Sequence, residues 1–286
     1  EDSQDGKGQD EHAISGAAVG NGVIVTVGDG GALVSTDGKT WTRIEALPRW
    51  PQLHSSKVAF ADGRFIVVGN GGTWTSPDGM AWVGVTGDAA LPGGDADGNP
   101  IPGGFSGHVG AWAAGDGKVL FTNDNALYRL FDGARWYQAK LGNYAGWLNS
   151  AAFGNGRFVM TGETCCNMQS PTSGGLRTAS TDGRTWPTII TNESGEYLSF
   201  GNLVWDGTRF YAASGTDALV SQDGLTWSQV AMSANLREAT FFEGTYYGTD
   251  GRHIYTSADG RAWTRIYEGA EGSWYLGTLV VGRILK

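Results

Sequence analysis

Ser35-Thr36-Asp37-Gly38-Lys39-Thr40-Trp41 is a box that the chain repeats. It returns as Ser76-Pro77-Asp78-Gly79-Met80-Ala81-Trp82 and as Ser180-Thr181-Asp182-Gly183-Arg184-Thr185-Trp186. Ser221-Gln222-Asp223-Gly224-Leu225-Thr226-Trp227 and Ser257-Ala258-Asp259-Gly260-Arg261-Ala262-Trp263 are further copies, and Leu130-Phe131-Asp132-Gly133-Ala134-Arg135-Trp136 is a worn one. Copies at intervals of about 35–55 residues restrict the chain to an array or ring of like modules.

The chemistry of each box is that of a tight turn. Gly accepts a positive φ, Asp tolerates one, and Asp-Gly between two alternating apolar runs is a strong hairpin signal. The Asp carboxylate can also accept hydrogen bonds from the amides of the bend. The Trp then opens the next strand with a large apolar face. A second hairpin precedes each box. Examples are Phe60-Ala61-Asp62-Gly63-Arg64-Phe65, Phe153-Gly154-Asn155-Gly156-Arg157-Phe158 and Trp205-Asp206-Gly207-Thr208-Arg209-Phe210. Each repeat therefore reads as strand A, hairpin, strand B, loop, strand C, box turn, strand D. Four short antiparallel strands per repeat make the blade of a β-propeller. No window keeps a helical period, so an all-β chain is expected.

These boxes resemble the Asp-box (BNR) repeat of sialidase-like, sortilin-like and photosystem-assembly-factor-like propellers. The common form of that repeat has a residue between Asp and Gly; here the two are adjacent, as in a shortened variant. The resemblance spans nearly the whole chain and implies a propeller fold. In those families the box lies on the face away from the ligand, so the box residues themselves imply no activity.

The sequence predicts a single propeller domain over 1–286. Its blades fall at about 13–44, 54–85, 108–139, 148–189, 199–230 and 236–266. Ser3-Gln4-Asp5-Gly6 resembles a box without its Trp, and residues 277–286 resemble strands A and B. A seventh blade shared between the two ends of the sequence is therefore expected, with six blades as the alternative. Such closure would leave no open sheet edge.

In such a fold the A–B and C–D turns of a blade lie at one end, and the B–C loops and D–A connections lie at the other. The long irregular segments 45–53, 86–107, 140–147, 163–176, 190–198 and 267–276 are all D–A or B–C connections. Loops carried on a rigid scaffold are where binding concentrates. Trp50, Tyr144, Trp147, Tyr197, Trp274 and Tyr275 map there. Such aromatics suit sugar faces or a protein partner. Cys165 and Cys166 are adjacent in one of these loops. They would stiffen it as a vicinal disulfide in an oxidising compartment, or serve as thiols or a soft-metal site in a reducing one.

His12, His54 and His108 lie at or beside the start of strand A in three successive repeats, a ring of imidazoles that could take zinc or copper. Arg49, Arg237 and Arg252 map to the same end and could pair with a carboxylate. The sialidases use an arginine triad in this way, but this chain is short for one and lacks their early Arg-Ile-Pro. Glu163 and Glu196 are acid candidates there, with Asp95, Asp97, Glu193 and Glu271; a carboxylate pair would serve glycoside hydrolysis. Arg64, Arg157 and Arg209 repeat at the A–B turns and read as structural.

The formal net charge of −9 argues against nucleic acid or an anionic membrane as partner. No apolar run reaches the length of a membrane-spanning helix. The polar start Glu1-Asp2-Ser3-Gln4-Asp5 suits a mature chain after signal removal, so a monomeric, exported bacterial protein is expected. The expected function is binding of a glycan or protein partner through the long-loop face. The alternative is a glycan-cleaving enzyme, a sialidase-like hydrolase or a polysaccharide lyase, using the same face.

Overall fold

The computed structural model of the chain describes residues 14–28, 31–47, 56–69, 72–84, 109–123, 127–131, 136–141, 146–164, 174–191, 202–269 and 279–282. The fold is all-β, with no helix among the described residues. Among the described residues no helix is long and apolar enough to cross a membrane. The chain packs as two compact units. The first comprises Glu1–Thr86, Phe105–His108 and Arg283–Lys286; the second comprises Gly87–Gly104 and Val109–Gly282.

The first unit holds two antiparallel sheets in simple up-and-down order. One is β1 (Ile14–Gly20), β2 (Val23–Gly28), β3 (Gly31–Ser35) and β4 (Thr42–Arg43). The other is β5 (Lys57–Ala61), β6 (Arg64–Gly69), β7 (Gly72–Ser76) and β8 (Val83–Gly84).

The second unit holds four sheets. Its first two are β9 (Val109–Gly115), β10 (Lys118–Asn123), β11 (Leu127–Phe131) and β12 (Trp136–Lys140), then β13 (Gly146–Gly154), β14 (Arg157–Thr164), β15 (Gly174–Ser180) and β16 (Thr188–Thr191). Next come β17 (Leu203–Trp205), β18 (Phe210–Ser221) and β19 (Ser228–Leu236). The last sheet is β20 (Glu238–Phe242), β21 (Thr245–Thr249), β22 (His253–Ser257) and β23 (Thr264–Glu268). In the sheet of β17–β19, β18 fills both inner places. Its Phe210–Ala212 portion pairs with β17 and its Asp217–Val220 portion with β19, either side of Gly215 at φ 67°.

Six sheets therefore stand among the described residues. Of the segments expected to share a seventh, 1–12 lie outside the described residues, as do 277, 278 and 283–286. Leu279–Gly282 are described and carry no strand. The Leu279 amide donates to Glu238 Oε1 at 3.3 Å.

The A–B hairpins take the tightest form. Asn21-Gly22, Asp62-Gly63, Asp116-Gly117, Asn155-Gly156 and Glu243-Gly244 have both φ angles positive, as the two-residue turn that matches strand twist requires. The strand residues flanking each turn pair directly, as Ala61 does with Arg64. An aromatic pair packs in tilted or edge-on geometry beside several of these turns: Phe60 with Phe65, Phe153 with Phe158, and Phe241 with Tyr246, each with centroids 4.8 Å apart.

Between β17 and β18 the Asp-Gly is displaced by one residue. Trp205 pairs with Phe210 just as Phe60 pairs with Phe65, so Gly207-Thr208 occupies the turn and Asp206 precedes it. Asp206 Oδ1 accepts from the Thr208 and Arg209 amides, and the rest of its carboxylate is turned to other work.

The boxes form one bonded unit in every described copy. Ser35, Ser76, Ser180, Ser221 and Ser257 each end a strand C. Each hydroxyl donates to the Asp carboxylate two residues on and accepts from the Gly amide. The same Asp Oδ1 then accepts two further amides, as Asp223 does from Leu225 at 2.9 Å and Thr226 at 2.7 Å. The indole N–H of Trp82, Trp227 and Trp263 donates to the box Gly carbonyl.

Apolar cores fill the spaces between consecutive sheets of each unit. In the first unit Val25, Val27, Val58, Phe65 and Val67 pack together. In the second, separate clusters gather around Leu120, Leu148 and Phe158, around Val159, Leu203 and Phe210, and around Tyr211, Leu236 and Tyr246. The glycines of the repeat permit this approach. A Cβ on Gly154 would lie 2.1 Å from the Trp205 ring, and one on Gly224 would lie 2.2 Å from Val159 Cγ2.

Candidate functional site

Each sheet has a turn end, carrying its A–B turn and box, and a connection end, carrying its B–C turn and the link to the next sheet. Contacts within the second unit set the turn ends side by side and occupy their polar groups. Asn155 Nδ2 reaches the Gln222 carbonyl at 3.4 Å, and the Arg157 guanidinium reaches the Asp223 carbonyl at 3.5 Å. Arg209 donates to the Asp259 carbonyl at 2.9 Å and to Asp206 Oδ2 at 3.1 Å. The Tyr246 hydroxyl bonds Asp206 Oδ2 as well. Burial pushes the Tyr246 phenol above its ordinary value, and the bond to Asp206 adds to that. Apart from the Arg209–Asp206 bond, which lies within one turn, each of these contacts fastens an A–B turn to the following sheet, so Arg157 and Arg209 are structural, as their repetition suggests. In the first unit Asn21 Nδ2 does the same with the Gly63 and Pro77 carbonyls. A recess of about 320 Å³ lies at that turn end, lined by Asp62, Gly63, Arg64, Thr75, Ser76 and Pro77.

The connection end of the second unit differs. Trp147, near the start of β13, is 45% exposed, an unusual place for an indole. Its direct cross-strand partner on β14 is Glu163. Residues directly opposite in an antiparallel pair project on one face, with Cβ atoms about 4.5–5.5 Å apart. The structure thus joins one expected aromatic with one expected acid. Glu163 is half-buried and interacts with its own chain.

Arg237 is exposed in the single-residue link between β19 and β20, where its amide donates to the Thr249 carbonyl at 2.9 Å. Arg252 is exposed in the turn between β21 and β22, with its Nε 3.5 Å from the Gly269 carbonyl. Both thus lie at the connection end of the β20–β23 sheet, Arg237 at the entry to β20 and Arg252 in its B–C turn.

Beside Arg252 lies a group that the sequence pattern does not single out. The Asp250 carboxylate accepts from the Arg252 and His253 amides, meets His253 Nδ1 at 2.7 Å and accepts the Tyr255 hydroxyl at 2.9 Å. Partial burial pushes the Asp250 carboxyl up, but those four contacts outweigh it and hold the group below the usual carboxylate range. His253 Nε2 lies 3.9 Å from Glu268, which also meets Arg265 at 3.5 Å. Asp250-Gly251 is itself an Asp-Gly turn, and that dipeptide at a B–C position is the one signal the sequence offers.

Arg49, Trp50, Tyr144, Cys165, Cys166, Glu196, Tyr197, Trp274 and Tyr275 lie outside the described residues, as do Asp95, Asp97, Glu193 and Glu271. So do His12, His54 and His108, the expected zinc or copper ligands. Among the described residues no group of three His, Cys, Asp or Glu is placed to hold a metal.

No protein-family model matches the chain, and the comparison with curated proteins gives no match. Solved structures do resemble it. YCF48 bound to a D1 peptide superposes with a TM-score of 0.53 at 18% identity, over 82% of this chain and 74% of that one. The computationally designed Ika8 protein gives 0.51 at 11% identity, over 91% of this chain and 88% of its own. YCF48 from Cyanidioschyzon merolae gives 0.49 at 16% identity, over 83% and 80%. At such identities the likeness of the first two carries the fold and nothing finer, and with the six antiparallel sheets it makes the chain a β-propeller.

Proposed function

We propose that this propeller is a binding module that holds a protein or glycan ligand at the connection end of its second unit. The observation that carries the reading is the contrast between the two ends. At the turn end, carbonyls and the Asp206 carboxylate are consumed in fastening sheet to sheet. At the connection end an indole stands 45% exposed directly across the ladder from a carboxylate. An aromatic face beside a polar group is the usual anchor of a recognition surface. The resemblance of the boxes to the Asp-box repeat supports the same orientation, with the ligand away from the boxes. YCF48, a protein of similar fold, is bound to a D1 peptide, so a peptide ligand belongs among the first to be tested. The reading also has the protein exported, on its composition and on that resemblance.

The test is incubation of the purified protein with a panel of glycans and synthetic peptides. Depletion of ligand is read on beads, and new masses are read by mass spectrometry. Depletion that weakens in Trp147→Ala without new masses supports a binding module. New product masses that vanish in Glu163→Gln or Arg237→Ala would replace binding with catalysis at this end.

A further inference from the structure

We infer that Trp147 and Glu163 form a subsite for a cationic side chain, a lysine or arginine of a basic peptide; the inference rests on the binding reading above. A bare aromatic surface would suit a sugar or an apolar side chain equally well. What narrows the choice is the register. Trp147 and Glu163 are direct partners in the ladder between β13 and β14, so their side chains leave the same face of one sheet. A cation over an indole face gains from the ring quadrupole, and Trp is the best of the aromatic residues for this. A carboxylate beside the same ring supplies the opposite charge.

The neighbourhood holds the pair in place. The next β14 residue inward is Gly162, where an added Cβ would meet the Trp147 carbonyl at 1.9 Å, so the backbones approach closely there. Leu148, following Trp147, is buried and fixes the strand beneath the indole. The register shifts between Leu148 and Ser150, which re-aims the segment carrying Trp147 relative to the rest of β13. Glu163 already interacts within the chain. A carboxylate offers about four lone-pair sites and can take a further donor. The formal net charge of −9 favours the approach of a basic ligand and disfavours an acidic one.

The test uses the full chain and three fluorescent probes: labelled hexalysine, labelled hexaglutamate and a labelled neutral chito-oligosaccharide. Binding is read by anisotropy at low salt in wild type, Trp147→Ala, Trp147→Phe and Glu163→Gln. Glu45→Gln, an exposed site in the first unit, removes the same charge elsewhere and controls for general attraction. Hexalysine should bind and hexaglutamate should not. Trp147→Ala should weaken hexalysine by about three- to thirtyfold, with Trp147→Phe recovering part of that. Glu163→Gln should weaken it by about two- to fivefold, and Glu45→Gln by less. Thermal melts check that each variant is folded.

The inference is overturned if hexalysine fails to bind, or if Glu163→Gln and Glu45→Gln behave alike. It is also overturned, with the binding reading intact, if the neutral oligosaccharide binds, loses affinity in Trp147→Ala and ignores Glu163→Gln. If the broader glycan and peptide panel also yields nothing that depends on Trp147, the binding reading falls with it.

Discussion

Three glycines separate the two physical demands that the repeat places on its turns. Gly156 sits at φ 69°, and a Cβ added there would have nothing within 4 Å, so alanine meets only backbone strain. Gly154 has no left-handed backbone, but its Cβ would lie 2.1 Å from the Trp205 ring of the next sheet, so alanine there meets only collision. Gly224 combines both, at φ 75° and 2.2 Å from Cγ2 of the fully buried Val159. Left-handed strain for a residue with a Cβ costs about 1–2 kcal/mol. Overpacking a closed core costs about 1–3 kcal/mol. Alanine returns about 0.4–1 kcal/mol by restricting the unfolded chain. Gly156→Ala should therefore cost about 1 kcal/mol or less, Gly154→Ala about 1–2, and Gly224→Ala about 2–4. Equilibrium urea unfolding followed by tryptophan fluorescence gives the ranking, provided the slope is unchanged. If Gly224→Ala costs no more than Gly156→Ala, box glycines do not serve close packing between sheets and the reasoning fails.

Further outcomes follow from the hydrogen bonds. The Asp37 carboxyl is held down to about 2 by the Thr40 and Lys39 amides. The Asp182 carboxyl is also held to about 2, because although partial burial pushes it up, the Thr185 and Arg184 amides and the Ser180 hydroxyl outweigh that. These depressed groups stabilise the fold above their ordinary value of 3.8 and lose that contribution as pH falls toward about 2. Urea midpoints should therefore be flat above about pH 5 and fall steeply below about pH 4. Arg209→Ala removes the 2.9 Å bond to Asp259 and the 3.1 Å bond to Asp206, and should cost about 1.5–3 kcal/mol by the same urea assay. Asp250→Ala strips acceptors from two amides and the Tyr255 hydroxyl; it should cost about 1–3 kcal/mol and speed amide exchange at Arg252 and His253.

Much of the fold is legible in the sequence because its turns are local chemistry. Ser-x-Asp-Gly fixes its own hydrogen bonds within four residues, so each intact box reads as a strand-C terminus without any tertiary knowledge. The A–B hairpins are legible for the same reason, with one instructive exception. Asp206-Gly207 looks like another turn dipeptide, yet the tilted ring pair Trp205 and Phe210 sets the register and moves the Asp out of the turn. Cross-strand ring packing within the sheet outranks the dipeptide, and the aromatic spacing is the better guide.

The site is less legible. Loop lengths and the repeat locate the connection end, but not which side chains meet there. Trp147 and Glu163 come together through a ladder whose register shifts between Leu148 and Ser150, and no period in the sequence announces that shift. Asp250 sits in a short turn, whereas loop length points toward the long connections.

The most direct test sets the two ends against each other. Trp147→Ala at the connection end and Arg64→Ala in the turn-end recess are compared with wild type for retention of a mixed panel of peptides and oligosaccharides on immobilised protein. The account predicts that wild type and Arg64→Ala retain the same ligands equally and that Trp147→Ala releases them. Loss in Arg64→Ala with full retention in Trp147→Ala would contradict it and move binding to the end that carries the boxes.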